Sequence, residues 1–353
     1  MKSFKNMFSR KKTLPASDIS GSISSCEFDK LFTSGSGVWK TCIPFPVHIL
    51  EKICLSLDYE TFKNCLRVNK AWRGVLTRKV FHLKVKSAFR EEITDEENSL
   101  VTMSEEGDTE GVRRVLSSGL VNVDCDDGRF RPWGPKTPLI YASSEGHSDI
   151  VRLLINAGAD VNQEGPANFD DWQESPLMVA ANYDYFDVVK LLIEAGAEAD
   201  KVDQFGKTPL LRAAWNSSSF GENSPVPVLK LLLDNGANVN RADQSGTTPL
   251  IAAAVMGDYD VAKLLIDRGA DLEKANKNWR APLMTAVDNN CKEVVQLLID
   301  SGADVIHGDG LTAPMGLAVE KGRSHEEVLR MLFNGTRFSS KMTLEEFLNY
   351  NSD

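Results

Sequence analysis

One phrase returns through the last two thirds of the chain and constrains it more than any other feature. It reads Thr137-Pro138-Leu139, Ser175-Pro176-Leu177, Thr208-Pro209-Leu210, Thr248-Pro249-Leu250, Ala281-Pro282-Leu283 and Ala313-Pro314-Met315. Successive prolines lie 38, 33, 40, 33 and 32 residues apart, a period of about 33 with two local insertions. A second phrase trails the first five: Gly158-Ala159-Asp160, Gly196-Ala197-Glu198, Gly236-Ala237-Asn238, Gly269-Ala270-Asp271 and Gly302-Ala303-Asp304. Self-similarity at this period means one small supersecondary unit stacked many times.

The chemistry of a unit follows from its residues. A Thr or Ser before Pro caps a helix: its hydroxyl accepts from the first turn, and Pro takes the first helical position. Small residues such as Ala180-Ala181 and Ala252-Ala253-Ala254 then allow close stacking, and a turn follows at Gly146-His147 or Gly257-Asp258. The next segment carries apolar residues at helical spacing: Ile150, Val151, Leu153, Leu154; Val188, Val189, Leu191, Leu192; Val261, Leu264, Leu265. The Gly of the second phrase supplies a left-handed C-terminal cap. One such hairpin cannot bury its own apolar face, so neighbours must stack.

These residues closely resemble the ankyrin repeat, over residues 96–337. The resemblance implies an all-α solenoid of helix-turn-helix units with β-hairpin fingers. Asn98-Ser99-Leu100, Gly107-Asp108, Val112, Val115-Leu116 and Gly119 read as a degenerate first unit without Thr-Pro, making about seven. Asn334-Gly335-Thr336 replaces the last Gly-Ala-Asp, and Met342, Leu344, Phe347 and Leu348 suggest a C-terminal capping helix or tail over 338–353. The family binds other proteins on its fingers and inner helices. The period is broken around Gly128 to Pro135, at Asn168 to Trp172, and by Ser217 to Pro225 inside the Thr208 unit. Aromatic residues fall on the fingers or the inner helices at Phe130, Trp133, Phe169, Trp172, Tyr183, Phe205, Trp215 and Trp279. Rigid exposed aromatics are common interface anchors. We expect Trp133, Phe169, Trp172, Tyr183, Phe205, Trp215 and Trp279 to bind a client protein. Packing against the adjacent finger is the alternative for any one of them. Asp126, Asp127, Asp170, Asp171 and Glu174 lie nearby and favour a basic ligand segment.

Charge divides the chain. Residues 1–94 carry 17 Lys and Arg against 8 Asp and Glu, whereas residues 95–353 carry 23 against 42, within a net charge of −10. A sign change at one point marks two modules with different partners. The acidic module is a poor nucleic-acid binder, because phosphate contacts need clustered cations. In the basic module, residues 13–37 carry Ser, Thr and Gly with few large apolar side chains, and residues 1–37 read as a disordered tail. From Ile43 the pattern becomes helical: Ile49, Leu50, Ile53 and Leu57 share a face, Asp58 or Glu60-Thr61 caps a second helix with Phe62, Cys65 and Leu66 inward, and Ala71 to Leu76 forms a third.

This segment, within 38–90, resembles the F-box. The residues that match are Phe45-Pro46, Ile49-Leu50, Ile53, Leu57, Glu60, Phe62 and Arg67-Val68-Asn69-Lys70-Ala71-Trp72-Arg73, with Asn69 where Cys or Ser is frequent. The resemblance implies a Skp-type adaptor as partner, and through it a cullin–RING ubiquitin ligase. Pro46, Ile49, Leu50, Ile53, Leu57, Val68 and Trp72 would form or support the adaptor interface. A helical cap on the solenoid is the alternative.

No catalytic constellation is present. The glycines fall singly, His48, His82, His147, His307 and His325 have no nucleophile at a recognisable spacing, and His147 is expected to make a structural hydrogen bond. Cys26, Cys42, Cys54, Cys65, Cys125 and Cys291 form no C-x-x-C pair, so no metal and no cofactor are expected. No run of about 18 apolar residues suggests a membrane span, and Met1 to Lys12 has no apolar core of a secretory signal. The reading is therefore a non-catalytic substrate receptor of a ubiquitin ligase, cytoplasmic or nuclear. An ankyrin scaffold or inhibitor without ligase role is the alternative.

Overall fold

A computed structural model of the chain describes residues 58–60, 62–63, 88, 90–125, 136–164, 174–216, 224–305, 313–336 and 343–345. They fall into two compact units, Met1–Thr94 with Ser117–Leu120, and Asp95–Leu116 with Val121–Asp353. Of the first unit, Tyr59, Glu60, Phe62 and Lys63 are helical, the Phe62 N–H donates to Asp58 O (2.9 Å), and the Phe62 side chain is buried. The Lys63 ammonium pairs with Glu60 (2.9 Å) and lies over the Tyr59 ring. The adaptor-site residues Pro46, Ile49, Leu50, Ile53, Leu57, Val68 and Trp72 lie outside the described residues.

Fourteen helices follow in pairs: α1 (Arg90–Glu106) and α2 (Thr109–Leu116), α3 (Pro138–Ser144) and α4 (Ser148–Asn156), α5 (Pro176–Asn182) and α6 (Phe186–Glu194), α7 (Pro209–Trp215) and α8 (Val226–Asp234), α9 (Pro249–Met256) and α10 (Tyr259–Asp267), α11 (Pro282–Asp288) and α12 (Lys292–Asp300), α13 (Pro314–Lys321) and α14 (Glu326–Asn334). A 3-10 turn, Gly322–His325, joins the last pair. The division between the units falls inside α1.

The caps form as their residues require. The Thr137, Ser175, Thr208 and Thr248 hydroxyls accept from the N–H groups of Ile140, Met178, Leu211 and Ile251 at 3.1–3.3 Å. Ala281 and Ala313 have no hydroxyl, and α11 and α13 begin without this bond. At the far end of the pair, Gly158, Gly196, Gly236, Gly269 and Gly302 all have φ between 84° and 93°. The N–H after each glycine then reaches back to the helix, as Ala159 does to Leu154 O (3.0 Å).

Stacking creates two rows in the second unit. The inner row is α3, α5, α7, α9, α11 and α13, each against the next; the outer row is α2, α4, α6, α8, α10, α12 and α14. Small residues let the inner helices approach closely: Ala180, Ala181, Ala213, Ala214, Ala252, Ala253, Ala254 and Ala286 are buried. The outer helices bury their stripe, namely Ile150, Val151 and Leu154, Val188, Val189 and Leu192, then Val261, Ala262 and Leu265. At about 1.5–3 kcal/mol for each fully buried large side chain, this inter-unit contact rather than any single hairpin holds the array together. Leu344, in the C-terminal segment, is partly buried against the same core. The solenoid and its helix-turn-helix unit agree with the sequence reading.

The fingers differ from it. No strand occurs among the described residues. Each described finger is a single turn in which one N–H closes on the carbonyl four residues on: Asp203 to Lys207 (3.0 Å), Asp243 to Thr247 (3.1 Å) and Asn276 to Arg280 (3.1 Å). An inward-turned side chain fills the turn instead of a longer ladder. Asp203 Oδ1 accepts from the N–H groups of Phe205 and Lys207, Asp243 Oδ1 from Ser245 and Thr247, and Asn276 Oδ1 from Asn278 and Arg280.

Candidate functional site

The fingers after α6, α8 and α10 are stitched to one another. Gln244 N–H donates to Phe205 O (2.8 Å), Lys277 N–H to Ser245 O (2.9 Å), and the Gln244 side-chain amide to Gln204 O (2.7 Å). A second set of bonds runs below them. The backbone N–H groups of Asp160, Glu198, Asn238, Asp271 and Asp304 donate to side-chain oxygens of Asp124, Asn162, Asp200, Asn240 and Glu273, each one unit earlier, at 2.8–3.1 Å. Asn162 and Asn240 also donate forward to Gly196 O and Gly269 O. The result is a rigid row of tips beside the inner helices, and a rigid surface loses little entropy on binding.

On this surface the aromatic residues part ways. Trp279 stands at the tip of its finger, 85% exposed, with φ of +60°. Phe205, one residue before the tip glycine of its own finger, is 43% exposed, and Tyr183 at the end of α5 is 46% exposed. Tyr183 leans on Tyr185, ring centroids 6.1 Å apart. Trp215, expected to bind a client or to pack, is half-buried against the core, with its indole N–H inside. Its position near the end of α7, beside α5 and α9, gives the ring a wall to lie on. Trp133, Phe169 and Trp172 lie outside the described residues, as do Phe130, Asp126, Asp127, Asp170 and Asp171.

Of the acidic residues expected near the fingers, only Glu174 lies among the described residues. Glu174 is not a free surface charge: it pairs with Arg212 (3.1 Å), whose guanidinium also binds Asp203 Oδ2 (2.7 Å). All three are largely buried, and Asp203 completely so. Sequence reasoning missed this cluster, since Glu174, Asp203 and Arg212 come together only once neighbouring units are stacked. Arg280 Nη1 donates to Asp288 Oδ2 (2.7 Å), and Lys321 Nζ holds the other oxygen at 2.6 Å. The Lys321 hydrogen bond, with the Arg280 charge beside it, keeps the Asp288 carboxyl below the usual carboxylate range despite partial burial.

At the α5–α6 turn, Asp184 adopts φ of +58°, where Gly146 and Gly257 stand in other units. Its Oδ1 is buried with no hydrogen-bond partner, and desolvation pushes its carboxyl up to about 6. His147 binds Glu105 O across units (3.2 Å), a structural bond as expected, and His325 binds Ser324 Oγ (2.8 Å). Cys125 is buried and Cys291 half-buried, neither in a disulfide, and burial raises the Cys291 thiol pKa. Among the described residues no group of His, Cys, Asp and Glu could hold a metal, and no helix is long and apolar enough to cross a membrane. An open, polar depression of about 580 Å³, lined by Glu164, Glu198, Asp200, Lys201, Asn235 and Arg241, is crossed by the Lys201–Glu164 ion pair. It lacks the apolar walls of a small-molecule site.

Comparison with protein families agrees with the helix pairs. Residues 136–165 match the family described as Ankyrin repeat, and residues 164–222, 177–276 and 218–309 match Ankyrin repeats (3 copies). None of these matches extends over the segment with Pro46 and Trp72. The pairs α1/α2 and α13/α14 flank the matched span. Residues 136–309 are an array of ankyrin repeats, and the array is a scaffold for protein–protein interaction.

Proposed function

We propose that this chain is a substrate receptor of an SCF-type cullin–RING ubiquitin ligase. Its N-terminal module would bind a Skp-type adaptor, and its ankyrin fingers and inner helices would hold the client. The observation that carries the ligase half is the residue pattern Phe45-Pro46, Ile49-Leu50, Ile53, Leu57, Arg67-Val68 and Trp72-Arg73, set directly ahead of a repeat array. Pro46, Ile49, Leu50, Ile53, Leu57, Val68 and Trp72 are the proposed adaptor contacts or their support. The stitched fingers, with Trp279, Phe205 and Tyr183 exposed, support the client half.

The chain's own contribution is proximity. Tethering the client beside the ubiquitin-carrying enzyme makes transfer effectively intramolecular, while the other subunits perform the bond chemistry. A basic N-terminal module would speed association with an acidic adaptor more than it would tighten it. Capture of purified Skp-type adaptor by the full chain is the test. The wild type is expected to bind, and the double variant Pro46→Ala, Trp72→Ala to lose binding with the array's far-ultraviolet spectrum unchanged. Binding retained in the double variant removes the motif assignment. If the wild type does not bind, the array stands as a scaffold or inhibitor without a ligase role.

A further inference from the structure

Three consecutive fingers make the same turn with different residues at the same place. Gly206 (φ +78°) and Gly246 (φ +81°) occupy the left-handed position three residues before Pro, and Trp279 occupies it in the next finger at φ +60°. At the first two, glycine is required twice over. A Cβ on Gly206 would lie 3.1 Å from the Gln244 backbone nitrogen, and one on Gly246 would lie 3.0 Å from Asn276 Cα and Lys277 N. At the third, the largest side chain of all sits in a conformation that suits none but glycine, asparagine and aspartate. Its ring gains little from the fold, being 85% exposed. Left-handed backbone at a bulky residue and a bare indole are both unfavourable for an isolated array. Strain of this kind persists where it serves a site.

The surroundings specify the partner's charge. Lys277 is exposed two residues before the indole, Arg241 is exposed at the base of the preceding finger, and Arg280 follows Trp279 directly. Asp288 is shared between Arg280 and Lys321, so that cluster carries a net positive charge. The carboxylates of these fingers sit at their bases and accept backbone N–H groups there: Asp200 from Asn238, Asp243 from Ser245 and Thr247, Asp271 from Glu273, and Glu273 from Asp304. Asp203 is enclosed with Arg212. The tip residues themselves, 204–207, 244–247 and 277–280, include Lys207, Lys277 and Arg280 and not one Asp or Glu.

We propose that Trp279 anchors an acidic segment of a partner protein, which lays its carboxylates along the cationic finger tips and an apolar residue against the indole. This rests on reading the fingers as the client surface, and it reverses the partner charge expected from the sequence. Acidic residues would meet Lys277 and Arg241, while Phe205 offers a second apolar contact two fingers away.

The test uses the full chain and two fluorescein-labelled peptide pools, one of Asp and Glu with scattered Leu and Phe, the other with Lys and Arg in place of the acids. Fluorescence anisotropy is expected to show the acidic pool binding at least about tenfold more tightly, with affinity falling as salt rises. Trp279→Gly should weaken that binding about tenfold or more, as removal of a central aromatic anchor does. It should also raise the thermal midpoint by about 2–4 °C through release of the left-handed strain. Lys277→Glu should weaken binding and flatten its salt dependence. Preference for the basic pool, binding of neither, acidic binding unchanged in Trp279→Gly, or a lowered midpoint in that variant would each overturn the proposal. So would Trp279-dependent self-association in sedimentation. No adaptor is present in this assay, so a failure of the ligase reading leaves its outcome untouched.

Discussion

Asp184 offers a quantitative check on how the array tolerates its turns. The perturbation is Asp184→Asn, which keeps the shape and a residue comfortable at φ of +58° while removing the charge. Burial without a hydrogen bond to Oδ1 moves the carboxyl from 3.8 to about 6. At 1.36 kcal/mol per pKa unit this is about 3 kcal/mol, and solvent screening at a partly exposed turn reduces it to about 1–1.5 kcal/mol. The sign follows from proton binding. Below about pH 3 the group is neutral both folded and unfolded and contributes nothing. Between about pH 3 and 6 the unfolded chain ionises while the folded one resists, so stability falls as pH rises, and above about pH 7 the deficit is constant. Urea unfolding followed by circular dichroism should therefore give the variant an advantage of about 1–1.5 kcal/mol at pH 7.5 that vanishes near pH 3. An equal advantage at both pH values, or a loss at pH 7.5, would refute the desolvation account.

Other expectations follow from caps, glycines and the buried ion cluster. Thr208→Ala should cost about 1 kcal/mol by deleting the bond to Leu211 N–H, and Ala281→Thr should add about as much at the uncapped start of α11; paired urea melts read both. Gly236→Ala, with nothing within 4 Å of its added methyl, should cost about 1 kcal/mol, whereas Gly246→Ala, against the Asn276–Lys277 backbone, should cost about 2–3 kcal/mol. Equal losses would mean that the fingers are not stitched as described. Asp203→Ala removes one of the two carboxylates that pair with the buried Arg212 and should cost about 3–5 kcal/mol in the same melts.

What the sequence shows of this molecule is what a single unit determines. Thr137 or Thr208 before Pro, and Gly158 or Gly236 before Ala, act within one hairpin, so caps and turns are legible locally. The inter-unit bonds are not. Asn162 and Asn240 stand out as recurring residues, but their bonds to Glu198 and Asp271 exist only once units more than 30 residues apart are stacked. Arg212 gives no sign of burial until Asp203 and Glu174 close on it. Trp215 sits at the end of an inner helix, and packing with the neighbouring helices covers half of it. Trp279 carried a signal that could have been read: aligning Trp279-Arg280-Ala281-Pro282 under Gly206-Lys207-Thr208-Pro209 places an indole on a glycine site.

The proposed division of labour, adaptor at the N-terminal module and client at the fingers, is tested most directly by proximity labelling with the full chain and with a variant lacking residues 38–83. The full chain should label a Skp-type adaptor, a cullin and a set of clients, and the variant should keep the clients while losing both ligase subunits. Ligase subunits absent from the full chain's set, or undiminished in the variant's, would contradict it.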